Sequence, residues 1–216
     1  EFADHLPRPA SPAAAPQKKS RRATERDGKQ RKKFRKLVKV LDLRHCLFVD
    51  EMGSNWAWTR RYGRAAPGAR VHDSVPADPG GNVSTIGAID LTGLRTGLRV
   101  PGAIAGETMV FFVEELLAPT LKRGDLVFLD NCPIHKRDEI DDLIDARGAG
   151  VVFLPAYSPE LTPIEPCWSK VNARLRALKP RTPDDLLEAL VDAFATVTGL
   201  DIRGWFRHCG YQVADT

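Results

Sequence analysis

Three uninterrupted apolar runs punctuate the chain: Cys46-Leu47-Phe48-Val49, Leu126-Val127-Phe128-Leu129 and Val151-Val152-Phe153-Leu154. A run without polar alternation belongs to a strand covered on both faces, so all three are predicted as central strands of a sheet. Between the first two, residues 82–91 and 94–100 alternate, and Leu91-Thr92-Gly93 supplies a turn, the pattern of an antiparallel hairpin. Helical spacing takes over at Met109, Phe112, Val113, Leu116 and Leu117. It returns at Ile140, Leu143 and Ile144, ahead of Gly148 as a stop. Residues 163–179 and 183–198 also read as helices, the second opening with Thr182 as N-cap, Pro183 at the first position and Asp185 at the third. The order is strand, hairpin, helix, strand, helix, strand, helices. It predicts a mixed α/β sheet, an antiparallel hairpin plus parallel strands, with helices on both faces.

Composition narrows this picture. The 216 residues are 43% hydrophobic and 28% charged, values of a globular chain rather than a disordered or fibrous one. No apolar run reaches the roughly 20 residues of a membrane span, so no membrane role is expected. The N-terminus has no secretory apolar core, which reads against export. The four cysteines, Cys46, Cys132, Cys167 and Cys209, show no C-x-x-C spacing and read as free thiols of a reducing compartment.

Charge divides the chain. Residues 1–40 hold 13 basic and 4 acidic residues, a net of +9, while the remainder holds 19 basic and 24 acidic, a net of −5. A basic arm on an acidic body suits a polyanion for the arm and a cation for the body; a solvated tail is the competing reading. Pro7, Pro9, Pro12 and Pro16 among alanines give residues 1–17 the composition of a linker, and the opening Glu-Phe reads as the start of a fragment. The basic stretch 18–36 includes Lys32, Lys33 and Arg35 and can form a short helix on nucleic acid. The expected division is an arm over 1–36, a folded domain over 37–209 and a tail over 210–216.

Two of the apolar runs end alike, in Asp50 and Asp130. Ligands of an α/β sheet bind beyond the carboxyl ends of its strands, so parallel neighbours would bring both carboxylates to one edge. Two such anions repel unless one is protonated or a cation lies between them. Oxygen donors alone favour Mg²⁺ or Mn²⁺ over zinc. Taken singly, each Asp equally suits a turn cap. Glu165, in Ser158-Pro159-Glu160-Leu161-Thr162-Pro163-Ile164-Glu165, is a third acid. Thr162 and Glu165 also match a capping box. Pro166 weakens that match, and a helix starting one turn later leaves Glu165 free; both readings stay open on chemistry alone. His135 and Lys136 follow Asp130 closely enough to contact a phosphate, although a packed histidine and a solvated lysine are the common case. Trp56, Trp58, Arg60, Arg61, Tyr62 and Arg64 interleave aromatics with arginines, suiting base stacking and backbone grip, or else cover of a sheet edge.

Asp50, Asp130 within Leu129-Asp130-Asn131-Cys132-Pro133-Ile134-His135-Lys136, and Glu165 after an interval of 34 residues together resemble the DDE transposases, most closely the mariner-like bacterial insertion-sequence branch. The resemblance spans about residues 37–205; Thr162 departs from it, since the family usually carries Asn there. It implies a ribonuclease-H-like fold and a divalent-metal-dependent endonuclease and DNA strand transferase that uses two Mg²⁺ or Mn²⁺ ions. Asp50, Asp130 and Glu165 would be the catalytic metal ligands, with Asp50 bridging both ions. Glu51 points to the other face of the strand and is excluded. Transposon-end and target duplex DNA, contacted through Trp58, Arg60, Arg61, Arg64, His135, Lys136 and the arm, would be the partners of a homodimer. A cytoplasmic, nucleoid-associated protein of a bacterial element is implied. The competing function is a truncated, non-catalytic DNA-binding remnant, because about forty residues are too few for an end-recognising module.

Overall fold

The computed structural model describes residues 23–78 and 80–214, so the Pro/Ala-rich stretch 1–17 and the start of the basic stretch lie outside the described residues. Strands β1 (Cys46–Ser54), β2 (Val83–Asp90), β3 (Gly93–Pro101), β4 (Leu126–Leu129) and β5 (Gly150–Phe153) form one sheet in the order β3-β2-β1-β4-β5. β2 and β3 are the expected hairpin, antiparallel to each other, and β2 runs antiparallel to β1. β4 lies parallel to β1, with Phe48 opposite Phe128, and β5 lies parallel to β4.

The pleat of β1 divides the core in two. Cys46, Phe48 and Met52 face helices α1 (Gly28–Leu37), α4 (Ile164–Leu178), α5 (Pro183–Ala195) and α6 (Gly199–His208). Leu47 and Val49 face α2 (Gly106–Phe111) and α3 (Asp138–Asp145). α2 continues through a wider π turn over Phe112–Leu117, burying Phe112, Val113 and Leu117. α5 opens with the expected Thr182 cap, completed by Asp185.

Four features depart from the sequence expectations. The run Val151-Val152-Phe153 sits on the edge strand β5 and is only half-buried, because an edge strand has a neighbouring strand on one side alone. The last helical stretch stops at Ala195, and a separate α6 follows behind its own capping box, Thr198 with Asp201. Residue 211, assigned to the tail, is a buried Tyr whose hydroxyl donates to the Leu161 carbonyl at 2.9 Å. Its ring packs edge-on to Phe48 at 5.2 Å.

The fourth departure concerns the arm. Residues 28–36, basic enough to be assigned there, form most of α1, and this helix lies on the body. Asp27 caps it through the amides of Lys29 and Gln30. Phe34 and Val38 are buried, and the Phe34 ring meets Phe128 edge-on at 6.1 Å. Arg31 is buried too, donating to the Ser158 hydroxyl and the Glu160 carboxylate. Lys32, Lys33 and Arg35 remain on the exposed side. Phe34→Ala should therefore cost about 3 kcal/mol of unfolding free energy in urea titration. A loss below about 1 kcal/mol would show that α1 is not part of the folded unit.

Candidate active site

The parallel register of β1 and β4 decides where the first two acids go. Phe48 and Phe128 are partners, and counting two residues on from each reaches Asp50 and Asp130. Glu165 arrives from the first turn of α4, and all three side chains line one cavity of about 610 Å³. Its opposite wall is the segment Leu154–Pro159, including Tyr157, which is 60% exposed and held at φ 53°. That backbone conformation is costly for an aromatic residue.

Each carboxylate is held differently. Trp168, one turn after Glu165 on α4, donates its indole N–H to Asp50 Oδ2 at 3.2 Å. The indole reaches there because Gly87 stands opposite Asp50 in the ladder; a Cβ on Gly87 would lie 2.6 Å from the Trp168 ring. Asp130 Oδ1 accepts from the Cys132 amide at 2.7 Å and from His135 Nδ1 at 2.6 Å. His135 Nε2 lies 2.7 Å from Glu51 Oε1, so a fully buried imidazole joins two carboxylates. Glu165 makes no side-chain hydrogen bond among the described residues.

The capping alternative for Glu165 is absent from this geometry. α4 begins at Ile164 with Pro163 as N-cap, and no side chain caps it. The helix does not start a turn later either. Glu165 and Pro166 fall at its second and third positions, where an amide has no intrahelical partner, so the proline ring costs nothing.

Electrostatics follow from this crowding. Burial, joined by the charges of Glu51, Glu165 and Asp130, pushes Asp50 up to about 7. Burial and Asp130 likewise raise Glu165. Burial would raise Asp130 too, but its hydrogen bonds from His135 and the Cys132 amide prevail and hold it below the ordinary range. Burial alone would lower His135; its two carboxylate partners outweigh that and lift it to about 10, so both ring nitrogens donate at neutral pH. The donor set facing the cavity is all oxygen, and Asp50 and Glu165 are each destabilised by neighbouring carboxylates. Hard divalent cations such as Mg²⁺ fit that chemistry. Among the described residues no three His, Cys, Asp or Glu side chains close into a tight cluster; the acids converge on a shared cavity.

The DNA-contact candidates separate. Arg60 and Arg61 line a second recess beside Glu165, along the outer face of α4. Arg64 is exposed and lines neither cavity. Lys136 is exposed, its ammonium 5.8 Å from the Phe153 ring centre. Two expectations need correction. His135 is fully buried and cannot touch DNA, since both ring nitrogens are spent on carboxylates. Trp58 is half-buried against the core, and the Arg176 guanidinium covers its ring at 4.1 Å, leaving that face unable to stack on a base. Arg176 and the Glu51–His135 link escaped the sequence reading. Arg176 lies in a helix with nothing local to mark it, whereas the spacing of Asp130 and His135 was a usable signal for the second.

A model of the DDE superfamily endonuclease family matches residues 45–187. Among solved structures, the Mos1 mariner paired-end complex with Mn has a TM-score of 0.69 at 16% identity, covering 92% of this chain and 64% of that one. The Mos1 transposase paired-end complex with left transposon end has a TM-score of 0.72 at 15% identity, with the same coverage. The catalytic domain of Mos1 mariner transposase alone has a TM-score of 0.57 at 14% identity, covering 85% of this chain and 90% of that one. The chain thus spans a little under two thirds of the Mos1 chain in those complexes. No curated protein matches it by sequence. The likeness to these structures is one of fold, and the fold is the ribonuclease-H-like mixed sheet. Asp50 midway along β1, Asp130 just past the end of β4 and Glu165 on the first turn of α4 line one cavity of that fold. The family match covers well over half of the chain, which belongs to the DDE superfamily endonucleases.

The raised Asp50 carboxyl predicts a pH effect on stability. The folded chain keeps this proton up to about pH 7, while the unfolded chain releases it near pH 4, so the native state binds more protons in that window. Stability is accordingly lost as pH rises through it. In chelator-containing buffer, Asp50→Asn should gain melting temperature relative to the native chain progressively over that interval. Parallel profiles for the two proteins would contradict the burial of this charge.

Proposed function

We propose that this chain is the catalytic part of a cut-and-paste DNA transposase, cutting a DNA strand at a transposon end and joining the freed 3′-hydroxyl to target DNA. The observation that carries the proposal is the convergence of Asp50, Asp130 and Glu165, from β1, β4 and α4, on one cavity of a DDE endonuclease fold. It also favours catalysis over a non-catalytic remnant, because no member of the set is missing, and among the described residues none is spent on a salt bridge to lysine or arginine. The division into a basic arm, a catalytic domain and a short tail belongs to the same proposal, with α1 counted in the domain.

Two Mg²⁺ or Mn²⁺ ions held by Asp50, Asp130 and Glu165 would activate the attacking oxygen and neutralise the leaving one. The chain's own residues set the geometry for this. His135 and the Cys132 amide hold Asp130 through Oδ1, and Asp130 lines the cavity. Trp168 fixes Asp50 Oδ2, and Glu165 stays unencumbered on a rigid first helical turn. The apolar wall at Pro155 and Ala156 limits water around the reacting phosphate.

The partners proposed are duplex DNA at transposon ends and target, read as a homodimer. Support comes from Arg60, Arg61 and Arg64 on the loop after β1 and from Lys32, Lys33 and Arg35 on the exposed face of α1. A cytoplasmic, nucleoid-associated setting in a bacterium accords with such a partner. In a nicking assay on end-containing or generic duplex with Mg²⁺ or Mn²⁺, Asp130→Asn and Glu165→Gln should fall to the level without enzyme while DNA binding persists. Cleavage by either variant at the native rate would refute the assignment.

A further inference from the structure

Several arginines of the body are matched to carboxylates. Arg95 pairs with Asp90 at 2.6 Å, Arg174 with Asp192 at 2.6 Å, and Arg137 with Glu107 and Glu139. The recess beside Glu165 is different. It measures about 670 Å³ and is lined by Arg60, Arg61 and Arg176. Among the described residues none of these three has a carboxylate partner. Arg176 is instead held in place by neutral contacts. Its guanidinium lies over the Trp58 ring at 4.1 Å, and Nη1 donates to the Asn172 carbonyl one turn back at 3.4 Å.

Trp58 is itself fixed. Arg181 Nη1 donates to the carbonyls of Trp56 and Trp58 at 3.0 and 3.1 Å, binding the loop after β1 to the turn between α4 and α5. The shelf beneath Arg176 is therefore rigid. Burial, reinforced by the like charge of Arg61, lowers Arg176, so two guanidiniums share a recess at a cost that an anion would remove. An arginine fork matches the oxygens of a phosphate. The recess has the size of a site for a drug-sized molecule, or for one or two nucleotides of a strand. One end of it is Glu165, which also lines the cavity of the three acids.

We propose that this recess is a phosphate site for a single DNA strand running from the cleavage centre along α4, gripped by Arg61 and Arg176 with Trp58 as the supporting shelf. The inference rests on the DNA-cleavage reading and deepens it. DNA there lies unpaired as it leaves the Glu165 side, and Trp58 acts by positioning Arg176 rather than by stacking on a base.

The test measures binding of labelled oligothymidylate, and of a duplex of equal length, in an Asp130→Asn background where cleavage does not intervene. Arg61→Ala and Arg176→Ala should each weaken single-strand binding roughly tenfold and flatten the dependence of log K on log salt by about 0.7, with a smaller loss for duplex. Arg176→Lys should restore the slope but not the full affinity. Arg174→Ala, two residues away on the same helix but on a different face and paired with Asp192, should change neither. Unchanged affinity and slope in Arg176→Ala, or an equal loss in Arg174→Ala, would overturn the proposal. Competition by inorganic phosphate alone, as strong as by the oligonucleotide, would assign the pair to a free anion and overturn it as well. Thermal melting of Arg176→Ala separates lost contact from lost fold, and Trp58→Phe, which keeps a ring under Arg176, should retain the slope. Nicking by the unmutated chain and its loss in Asp130→Asn are scored separately, so a failure of the cleavage reading is visible whatever the binding result.

Discussion

Parallel pairing of β1 with β4 is the contact on which the site depends. It aligns Phe48 with Phe128, whose rings stack at 4.6 Å, and thereby brings Asp50, midway along β1, level with Asp130 just past the end of β4. A slip of one residue would turn Asp50 into the core with α2 and α3 and bring Glu51 to the cavity. The apolar residues on both faces forbid that slip, since Leu47 and Phe48 are each fully buried in different cores. Placement of the acids is thus a by-product of hydrophobic register, and needs no attraction between groups that repel.

The same pleat explains why Glu51 is useful without facing the cavity. It emerges on the α3 side, where His135 links it to Asp130. Two anions around one buried cation satisfy every ring nitrogen and spend one oxygen of Asp130, whose carboxylate also lines the cavity. A histidine at that place is a positioning device whose charge is sustained by its neighbours.

Much of this was legible in the chain. Continuous apolar runs gave away the strands, period-2 alternation the hairpin, and Thr182 with Asp185 the start of α5. Asp50 and Asp130 could be read because each ends such a run. What escaped had physical reasons. α6 is amphipathic but follows α5 after a three-residue break, so one periodicity ran into the next. β5 looked central because its side chains are apolar, and the sequence carries no direct mark of edge position. α1 was mistaken for an arm because lysines outnumber apolar residues there; Phe34 and Val38, four apart, sufficed to seat it. His135 and Trp58 are cases where residue type suggested DNA and tertiary packing had already claimed the ring.

The segment leading to Glu165 is moored from two directions. Arg31 of α1 grasps Ser158 and Glu160, and Tyr211, beyond α6, holds the Leu161 carbonyl. Elements far apart in the chain thus act as guy-lines on the four residues 158–161. Neither tether falls within residues 45–187, the stretch that carries the family signature. The smallest piece able to keep Glu165 in station is consequently larger than the piece by which the family is known, and trimming to the signature would cut both lines at once.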